Sequence, residues 1–173
     1  MIEALIFVVF PFCMVFAAVS DMLSMTIANR VSLVLVATFA VVAPLTGMEW
    51  SVYGLHLAAG MLVLSVTFGL FALGAMGGGD AKLLAATSVF FGLDMSLMNY
   101  LLISTLIGGA ITLGIVIYRK SAMAVFTGHN MFLRNFADEK AGIPYGIALG
   151  IGGLIAYPES PLMVWALERL ALN

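Results

Sequence analysis

Residues 76–84 read MGGGDAKLL, and they interrupt the most apolar part of the chain with three glycines, a carboxylate and a lysine. No other formal charge occurs between Glu49 and Asp80, and eleven uncharged residues follow Lys82. A polar segment of this kind predicts the end of one membrane helix and the start of another. Because ionisable side chains are costly inside a bilayer, Asp80 is a candidate functional residue.

The composition around this segment is typical of an integral membrane protein. Of the 173 residues, 63% are hydrophobic and 9% are charged, whereas soluble domains average about a quarter charged residues. The net charge is −2 and no basic run occurs, so the sequence does not indicate a nucleic-acid partner. The single cysteine excludes an intrachain disulfide and a zinc site built from paired cysteines.

The charged residues divide the chain into apolar intervals, of which five are long enough for a membrane helix of about 17–25 residues. The interval 83–93 is shorter, and we interpret it as a short fourth helix. The predicted fold class is all-α: one transmembrane domain over residues 1–173 with about six membrane helices, then a C-terminal amphipathic helix within PESPLMVWALERLALN. The uncharged intervals are 4–20, 31–48, 50–79, 83–93, 95–118 and 141–158.

The basic residues predict how the chain is oriented in the membrane. With six crossings, six of the seven lysines and arginines fall on one side, and Arg169 falls on the other. The positive-inside rule makes the first side cytoplasmic and places both termini outside. The residues on the cytoplasmic side are Arg30, Lys82, Arg119, Lys120, Arg134 and Lys140.

Two acidic residues share this cytoplasmic side. Asp21 closes the first predicted span, and Asp80 lies just beyond the third. If adjacent helices bring the two carboxylates together, they can share a proton and act as general base and general acid. A structural interpretation stays open for each, with Asp80 as a helix cap and Asp21 as a loop acid beside Arg30.

The glycines before Asp80 favour a functional site. Glycine permits backbone conformations that other residues avoid, and it permits close approach of another chain. Irregular backbone at membrane depth is tolerated beside a wet cavity. Gly77, Gly78 and Gly79 are therefore candidate substrate-contacting residues, beside a polar cavity open to the cytoplasm. Lys82 has two interpretations, because it either supplies only the positive-inside signal or also tunes the acids and contacts substrate.

Small residues recur in two later segments. Gly142, Gly146 and Gly150 are spaced every fourth residue, which lines one face of a helix and allows close helix packing. A second set in the predicted fifth span is expected to pack in the same way. Its members are Gly108, Gly109 and Gly114.

Asp21 with the following SMTIANRVS, and GGGDAKLLAA over residues 77–86, resemble the type IV prepilin peptidases, which are GxGD aspartyl proteases of the membrane. The resemblance implies that Asp21 and Asp80 are catalytic, with the glycines, Lys82 and Asn29 in supporting positions. It implies no cofactor and no metal. The family's Ile-Pro-Asn element reads Ile-Ala-Asn at residues 27–29, so a proline is missing before the second span.

The implied substrate is a prepilin, whose apolar helix lies in the same lipid bilayer and whose short basic leader is cut at the cytoplasmic face of the inner membrane. Larger family members carry a cytoplasmic segment with paired cysteines and also methylate the new pilin N-terminus. This chain has a single cysteine and resembles the minimal, peptidase-only form of tight-adherence (Flp-type) pilus systems. An archaeal preflagellin-type peptidase remains an alternative within the resemblance.

Two other classes of function stay open at this point. A small proton-coupled transporter would use Asp21 and Asp80 as a proton relay, which requires a polar path continuing across the membrane. A non-catalytic membrane subunit of pilus assembly would need neither acid. The oligomeric state is not predicted by any feature of the sequence.

Overall fold

The computed structural model describes residues 2–127, 134–138 and 142–172, and the predicted cytoplasmic Lys140 lies outside them. Within these ranges the chain is helical without strands, which confirms the predicted all-α fold class. The helices are α1 (Ile2–Ser24), α2 (Asn29–Leu45), α3 (Trp50–Ala72), α4 (Gly78–Phe91), α5 (Met95–Arg119), α6 (Ala122–Thr127), α7 (Arg134–Ala137), α8 (Tyr145–Ala156), a 3₁₀ turn (Tyr157–Glu159) and α9 (Pro161–Ala171).

Among the described residues, three helices are long and apolar enough to cross a membrane. They are α1, α3 and α5, with 23, 23 and 25 residues, and at about 1.5 Å per residue each exceeds a hydrocarbon core of about 30 Å. A fourth span exists if α8 and α9, which are bent by 48°, count as one. With 17 and 14 residues, α2 and α4 are shorter. The count of six spans therefore stays a prediction.

The helix boundaries differ from the uncharged intervals at both acids. Helix α1 continues past Asp21 to Ser24, and α4 begins at Gly78, so Asp80 and Lys82 lie inside it. Charges marked the interval ends in the sequence, but a helix continues through a charged residue that has a polar environment. The short fourth helix is therefore longer than the interval 83–93 that predicted it.

The short α4 lies at the centre of the bundle. It packs against α2 and α3 on one side and contacts α8 on another, while α8 packs between α1 and α5. Every residue of α4 from Leu83 to Phe91 is buried. A central helix is covered by its neighbours on all sides, which explains why α4 has no exposed stripe after Lys82.

An aromatic cluster fills the bundle at the end opposite the acids. Phe10 stacks on Tyr157 with ring centroids 4.0 Å apart, and its ring meets the edge of Phe90 at 4.9 Å. Phe91 stacks on Tyr100 at 4.8 Å. All five rings are at most 1% exposed. This cluster, named here the aromatic anchor, fixes α1, α4, α5 and the turn after α8 relative to one another.

The predicted C-terminal amphipathic helix is present as α9. Ser160 caps it by accepting a hydrogen bond from the Met163 N–H at 3.4 Å, and Leu162 and Ala166 form its buried face. On the same side of the helix, Arg169 lies 5.4 Å from the centre of the Trp165 ring and pairs with Glu3 of α1. The helix and its buried face agree with the prediction, whereas its location at a membrane interface stays a prediction.

The predicted glycine packing holds for only part of the set. A Cβ atom on Gly150 would lie 2.9 Å from the Ala18 Cβ, so this glycine does allow α8 to approach α1 closely. Gly142 precedes α8 and is not part of its helical face. The prediction for Gly109 and Gly114 is wrong, because a Cβ at either position would meet no atom of the described residues within 4 Å.

Candidate active site

Asp21 is buried near the end of α1 and is held by the start of α8. Its side chain is 5% exposed, and its Oδ2 accepts a hydrogen bond from the Gly146 N–H at 2.7 Å. The contact requires glycine, since a Cβ at position 146 would lie 2.8 Å from the same oxygen. Gly146 was interpreted from the sequence as a packing residue, and its contact with a candidate catalytic acid was missed.

Asp80 is the third residue of α4 and is half-buried. Its Oδ2 lies 2.7 Å from the position of a Cβ on Gly77, the residue that caps the helix with extended backbone. The interpretation of Asp80 as the N-cap is therefore wrong. An acid in the first helical turn is still favoured by the helix dipole.

The three glycines allow other parts of the chain to lie close to their backbone, and none of them adopts a conformation that only glycine favours. Gly77 has φ −69°, and Gly78 and Gly79 are the first residues of α4, so none of them needs the left-handed region. A Cβ on Gly78 would lie 3.2 Å from the Phe71 ring, and one on Gly79 would lie 3.3 Å from the Ile27 Cβ. The left-handed residue that ends α3 is Gly74, with φ +71°.

The two acids line the same two cavities. The smaller, named here the acid pocket, has a volume of about 210 Å³ and is formed by the segment that links α1 to α2, by Gly77–Gly79 and by both acids. The larger, named here the polar cavity, has a volume of about 900 Å³ and extends from the acids toward Thr112, Arg119 and Tyr145. The structure thus brings Asp21 and Asp80 together, although 59 positions separate them in sequence.

The segment between α1 and α2 is held in one conformation beside the acids. Ser20 donates a hydrogen bond to the Thr26 carbonyl at 2.8 Å, and the Ser24 and Thr26 hydroxyls are 2.8 Å apart. Met25 lines both cavities with φ +54°, a left-handed conformation that is strained for a residue with a side chain. The hydrogen bonds of Ser20, Ser24 and Thr26 hold Met25 in this conformation.

Asn29 and Lys82 form a polar pair at the rim of the site. The Lys82 Nζ donates to the Asn29 Oδ1 at 3.1 Å, and both side chains are exposed. Asn29 lines the acid pocket, whereas Lys82 lies outside both the acid pocket and the polar cavity. The structure therefore places Asn29 beside the acids, and Lys82 reaches them only through Asn29.

Two further residues hold the segments on either side of Asp21, and the sequence predicted neither contact. The Asn135 side chain donates to the carbonyls of Met22 and Leu23, at 3.1 and 2.9 Å, and so caps the end of α1. Arg119 donates to the carbonyls of Phe136 and Gly142, at 3.0 and 2.9 Å. We name this arrangement the Arg119–Asn135 brace. It ties the end of α5 to α7 and to the segment preceding Gly146.

The described acids and histidines do not gather at one point. Across the parts of the chain that are described, no cluster of three or more histidine, cysteine, aspartate or glutamate side chains could hold a metal ion. His56 is buried near the aromatic anchor, where its Nδ1 lies 2.7 Å from the Val89 carbonyl. It is remote from both acids, at the other end of α4.

The fold and the paired acids define a helical membrane protein with a carboxylate site at one end of its bundle. The sequence pattern of the type IV leader peptidase family matches residues 8–113, which include both acids and the glycine segment. The chain belongs to this family of peptidases, and the resemblance inferred from its motifs is confirmed. No curated protein sequence and no solved structure matched the chain.

Proposed function

We propose that this protein is an aspartyl endopeptidase of the bacterial inner membrane, which removes the short basic leader of a type IV prepilin at the cytoplasmic face. The observation that carries the proposal is the meeting of Asp21 and Asp80 in one pocket beside Gly77–Gly79. Family membership supports a peptidase with a membrane-embedded substrate. Cleavage by two carboxylates needs no metal and no cofactor.

The proposed topology has six membrane helices with the acids on the cytoplasmic side. The helix ends that meet at the acids are the ends of α1, α3 and α5 and the starts of α2, α4 and α8, as six alternating crossings require. Those ends carry the basic residues Arg30, Lys82, Arg119 and Lys120. The positive-inside rule then supports a cytoplasmic location for the site.

The two acids have different environments, and this difference supports different roles. Both acids lie beside a helix N-terminus, Asp80 in the first turn of α4 and Asp21 against the start of α8. Asp21 in addition accepts a hydrogen bond from the Gly146 N–H at 2.7 Å, which favours its ionised form. No hydrogen-bond donor contacts the Asp80 carboxylate within ranges 2–127, 134–138 and 142–172. Because two carboxylates in one pocket do not both ionise readily, we assign the shared proton to Asp80.

The chemistry then follows in two steps, each with two proton transfers. Asp21 removes a proton from a water molecule, which attacks the scissile carbonyl carbon, while Asp80 donates its proton to the carbonyl oxygen. Asp21 next passes its proton to the leaving amide nitrogen, the C–N bond breaks, and Asp80 recovers a proton from the hydroxyl of the intermediate. One water is consumed, and both acids return to their starting states.

The aromatic anchor favours a peptidase over a proton-coupled transporter. A proton relay that begins at the acids would have to continue through the bundle toward the opposite end. That end is filled by Phe10, Phe90, Phe91 and Tyr157, all at most 1% exposed. A peptidase needs access to the acids from one side only, and the two cavities there supply it.

The proposal is tested by mixing the purified protein, in detergent, with an epitope-tagged prepilin and following leader removal by gel shift and mass spectrometry. Wild type is expected to cleave once, at a single bond, and to keep its activity in chelator. Asp21→Asn and Asp80→Asn are expected to be inactive, whereas Asp94→Asn, which changes an acid at the start of α5, is the matched control and stays active. An inactive wild type, or an active Asp80→Asn protein, would refute the proposal.

The proposed peptidase-only, Flp-type activity has its own test. The same reaction is run with a methyl-labelled donor, and label is expected to stay out of the mature pilin. Transfer of the methyl group to the pilin N-terminus would overturn this part of the proposal without affecting the cleavage claim.

A further inference from the structure

A third cavity lies beside the acid pocket, along the side of the bundle. It is a groove of about 730 Å³ between α2 and α3, with α4 as its floor. Asn29 lines both this lateral groove and the acid pocket, and both acids, Met25 and Gly77 line both the acid pocket and the polar cavity. The three spaces are therefore neighbours, with the acid pocket in the middle.

The lateral groove changes from polar to apolar along its length. Asn29, Arg30 and Lys82 lie at the end next to the acid pocket, and the lining beyond them is almost entirely apolar. Residues on each helix recur at intervals of three to four positions, so each helix contributes one stripe about two turns, or about 10 Å, long. The apolar wall residues are Leu33 and Val36 on α2 and Leu57, Met61 and Leu64 on α3.

The wall side chains are exposed and the floor is formed mainly by small side chains. Leu33 and Met61 are 69% and 64% exposed, whereas Ala85 and Ala86 on α4 are buried. Gly60 of α3 allows this close packing, because a Cβ there would lie 2.6 Å from a Val89 methyl group. A narrow floor between two splayed apolar walls can accept an elongated apolar body from the side.

We propose that the lateral groove holds the apolar membrane helix of the substrate, so that the scissile bond enters the acid pocket and the leader leaves through the polar cavity. This inference rests on the proposed function. Its support is the adjacency of the three spaces and the match between their polarity and a substrate with an apolar helix joined to a polar leader. Arg30 and Lys82 would repel a basic leader from the groove, which orients the chain across the acids.

The first test is photo-crosslinking in the Asp80→Asn protein, in which the substrate stays uncleaved. The crosslinker p-benzoylphenylalanine replaces Met61 in the groove or, as the control, its neighbour Leu62, which is 55% exposed and outside the groove. An adduct with the tagged prepilin is expected from position 61, with none above the unirradiated background from position 62. Equal adducts from both positions, or an adduct with phospholipid alone, would overturn the proposal.

The crosslink separates this inference from the proposed function. If Asp80→Asn cleaves the prepilin during the experiment, the catalytic assignment fails, whatever the crosslinks show. If Asp80→Asn is inactive and position 61 gives no prepilin adduct, the groove assignment fails while the catalytic assignment stands.

A steric test uses two valines of α2. Val36 lines the groove and is 38% exposed, and Val34 lies outside it and is 45% exposed. Val36→Trp is expected to raise KM for the prepilin about tenfold, the loss that corresponds to one buried apolar contact, whereas Val34→Trp leaves KM unchanged. A Val36→Trp protein with wild-type accumulation and KM contradicts the proposal. If it does not accumulate, the crosslink decides.

Discussion

The two ends of α4 differ in what surrounds them. Its first turn, Gly78 to Asp80, borders cavities of about 210 and 900 Å³, and its last residues, Phe90 and Phe91, are packed into the aromatic anchor at 1% and 0% exposure. One short helix thus joins a hollow end to a filled end. The filled end holds the helices in place, while the hollow end leaves room for a peptide beside the carboxylates.

The means of positioning differ in the same way. At the anchor, large side chains contact one another, so the orientation of the helices depends on packing. At the acids, Gly146, Asn135 and Arg119 form hydrogen bonds that involve backbone atoms or a carboxylate. Substitutions at the anchor should therefore reduce the free energy of unfolding, and substitutions at the hollow end should reduce the rate of cleavage.

Outside the acids themselves, Gly146→Ala is expected to have the largest effect on activity. The added Cβ would lie 2.8 Å from the Asp21 Oδ2 and would displace the carboxylate. A misplacement of about 1 Å in a catalytic group can cost about 10²-fold in rate, so kcat should fall by about that factor. The measurement is steady-state cleavage of the tagged prepilin.

Gly150→Ala, one turn further along α8, is the matched control. Its Cβ would be equally crowded, at 2.9 Å from the Ala18 Cβ, but it approaches no acid. Both variants should lose about 1–3 kcal/mol of stability from overpacking. If Gly150→Ala loses as much activity as Gly146→Ala, the Asp21 contact is not what limits cleavage.

Phe10→Ala tests the anchor. Removing a fully buried ring that contacts three others should destabilise the protein by about 3–5 kcal/mol. We expect a lower thermal unfolding midpoint in detergent and near-normal kcat per folded molecule. A normal midpoint with impaired kcat would contradict the account, in which the aromatic anchor stabilises the fold and the opposite end carries out cleavage.

Asn135→Ala tests the Arg119–Asn135 brace. Losing two hydrogen bonds of about 1 kcal/mol each frees the end of α1 and should lower kcat about tenfold, with KM unchanged. Asn99→Ala is the control, since it removes a side-chain hydrogen bond of 2.9 Å that Asn99 donates to Glu159 at the opposite end of the bundle. Equal effects of the two substitutions on kcat would show that Asn135 has no special relation to Asp21.

Ala28→Pro should have the smallest effect. Ala28 has φ −65°, the angle that proline imposes, and it is the residue before α2. Restricting the unfolded chain at a compatible position should add about 0.4–1 kcal/mol of stability and leave cleavage within about twofold of wild type. A strong loss of activity would show that the segment between α1 and α2 must change conformation during the reaction.

Cysteine labelling at the two ends of the bundle tests whether the acids face the cytoplasm. In a Cys13→Ser background, an impermeant maleimide applied to intact cells should label Asp94→Cys and leave Lys120→Cys unlabelled. The opposite labelling would place the hollow end, and both acids, outside the cytoplasm.

The sequence predicted that the two acids meet but not which residues hold them. Charge spacing predicted that Asp21 and Asp80 share one side of the membrane, the motif around each predicted a pair, and both acids do line one pocket. The brace was not predictable, because its donors contact backbone carbonyls up to 113 positions away, and such contacts leave no pattern in a single sequence. Gly146 was predicted only as a packing residue, because small residues at helical spacing indicate that two helices lie close together. The spacing does not reveal that the group nearest Gly146 is the Asp21 carboxylate.

The central claim, that Asp21 and Asp80 act as one catalytic unit, is tested most directly by a double-mutant cycle. Prepilin cleavage is measured for wild type, Asp21→Asn, Asp80→Asn and the double variant, with equal amounts of folded protein confirmed for each. We expect each single substitution to reduce the rate by about 10²–10⁴-fold, and the double variant to be no slower than the slower single one. Cleavage by either single variant within a few fold of wild type, or a double variant slower by the product of both losses, would contradict the account.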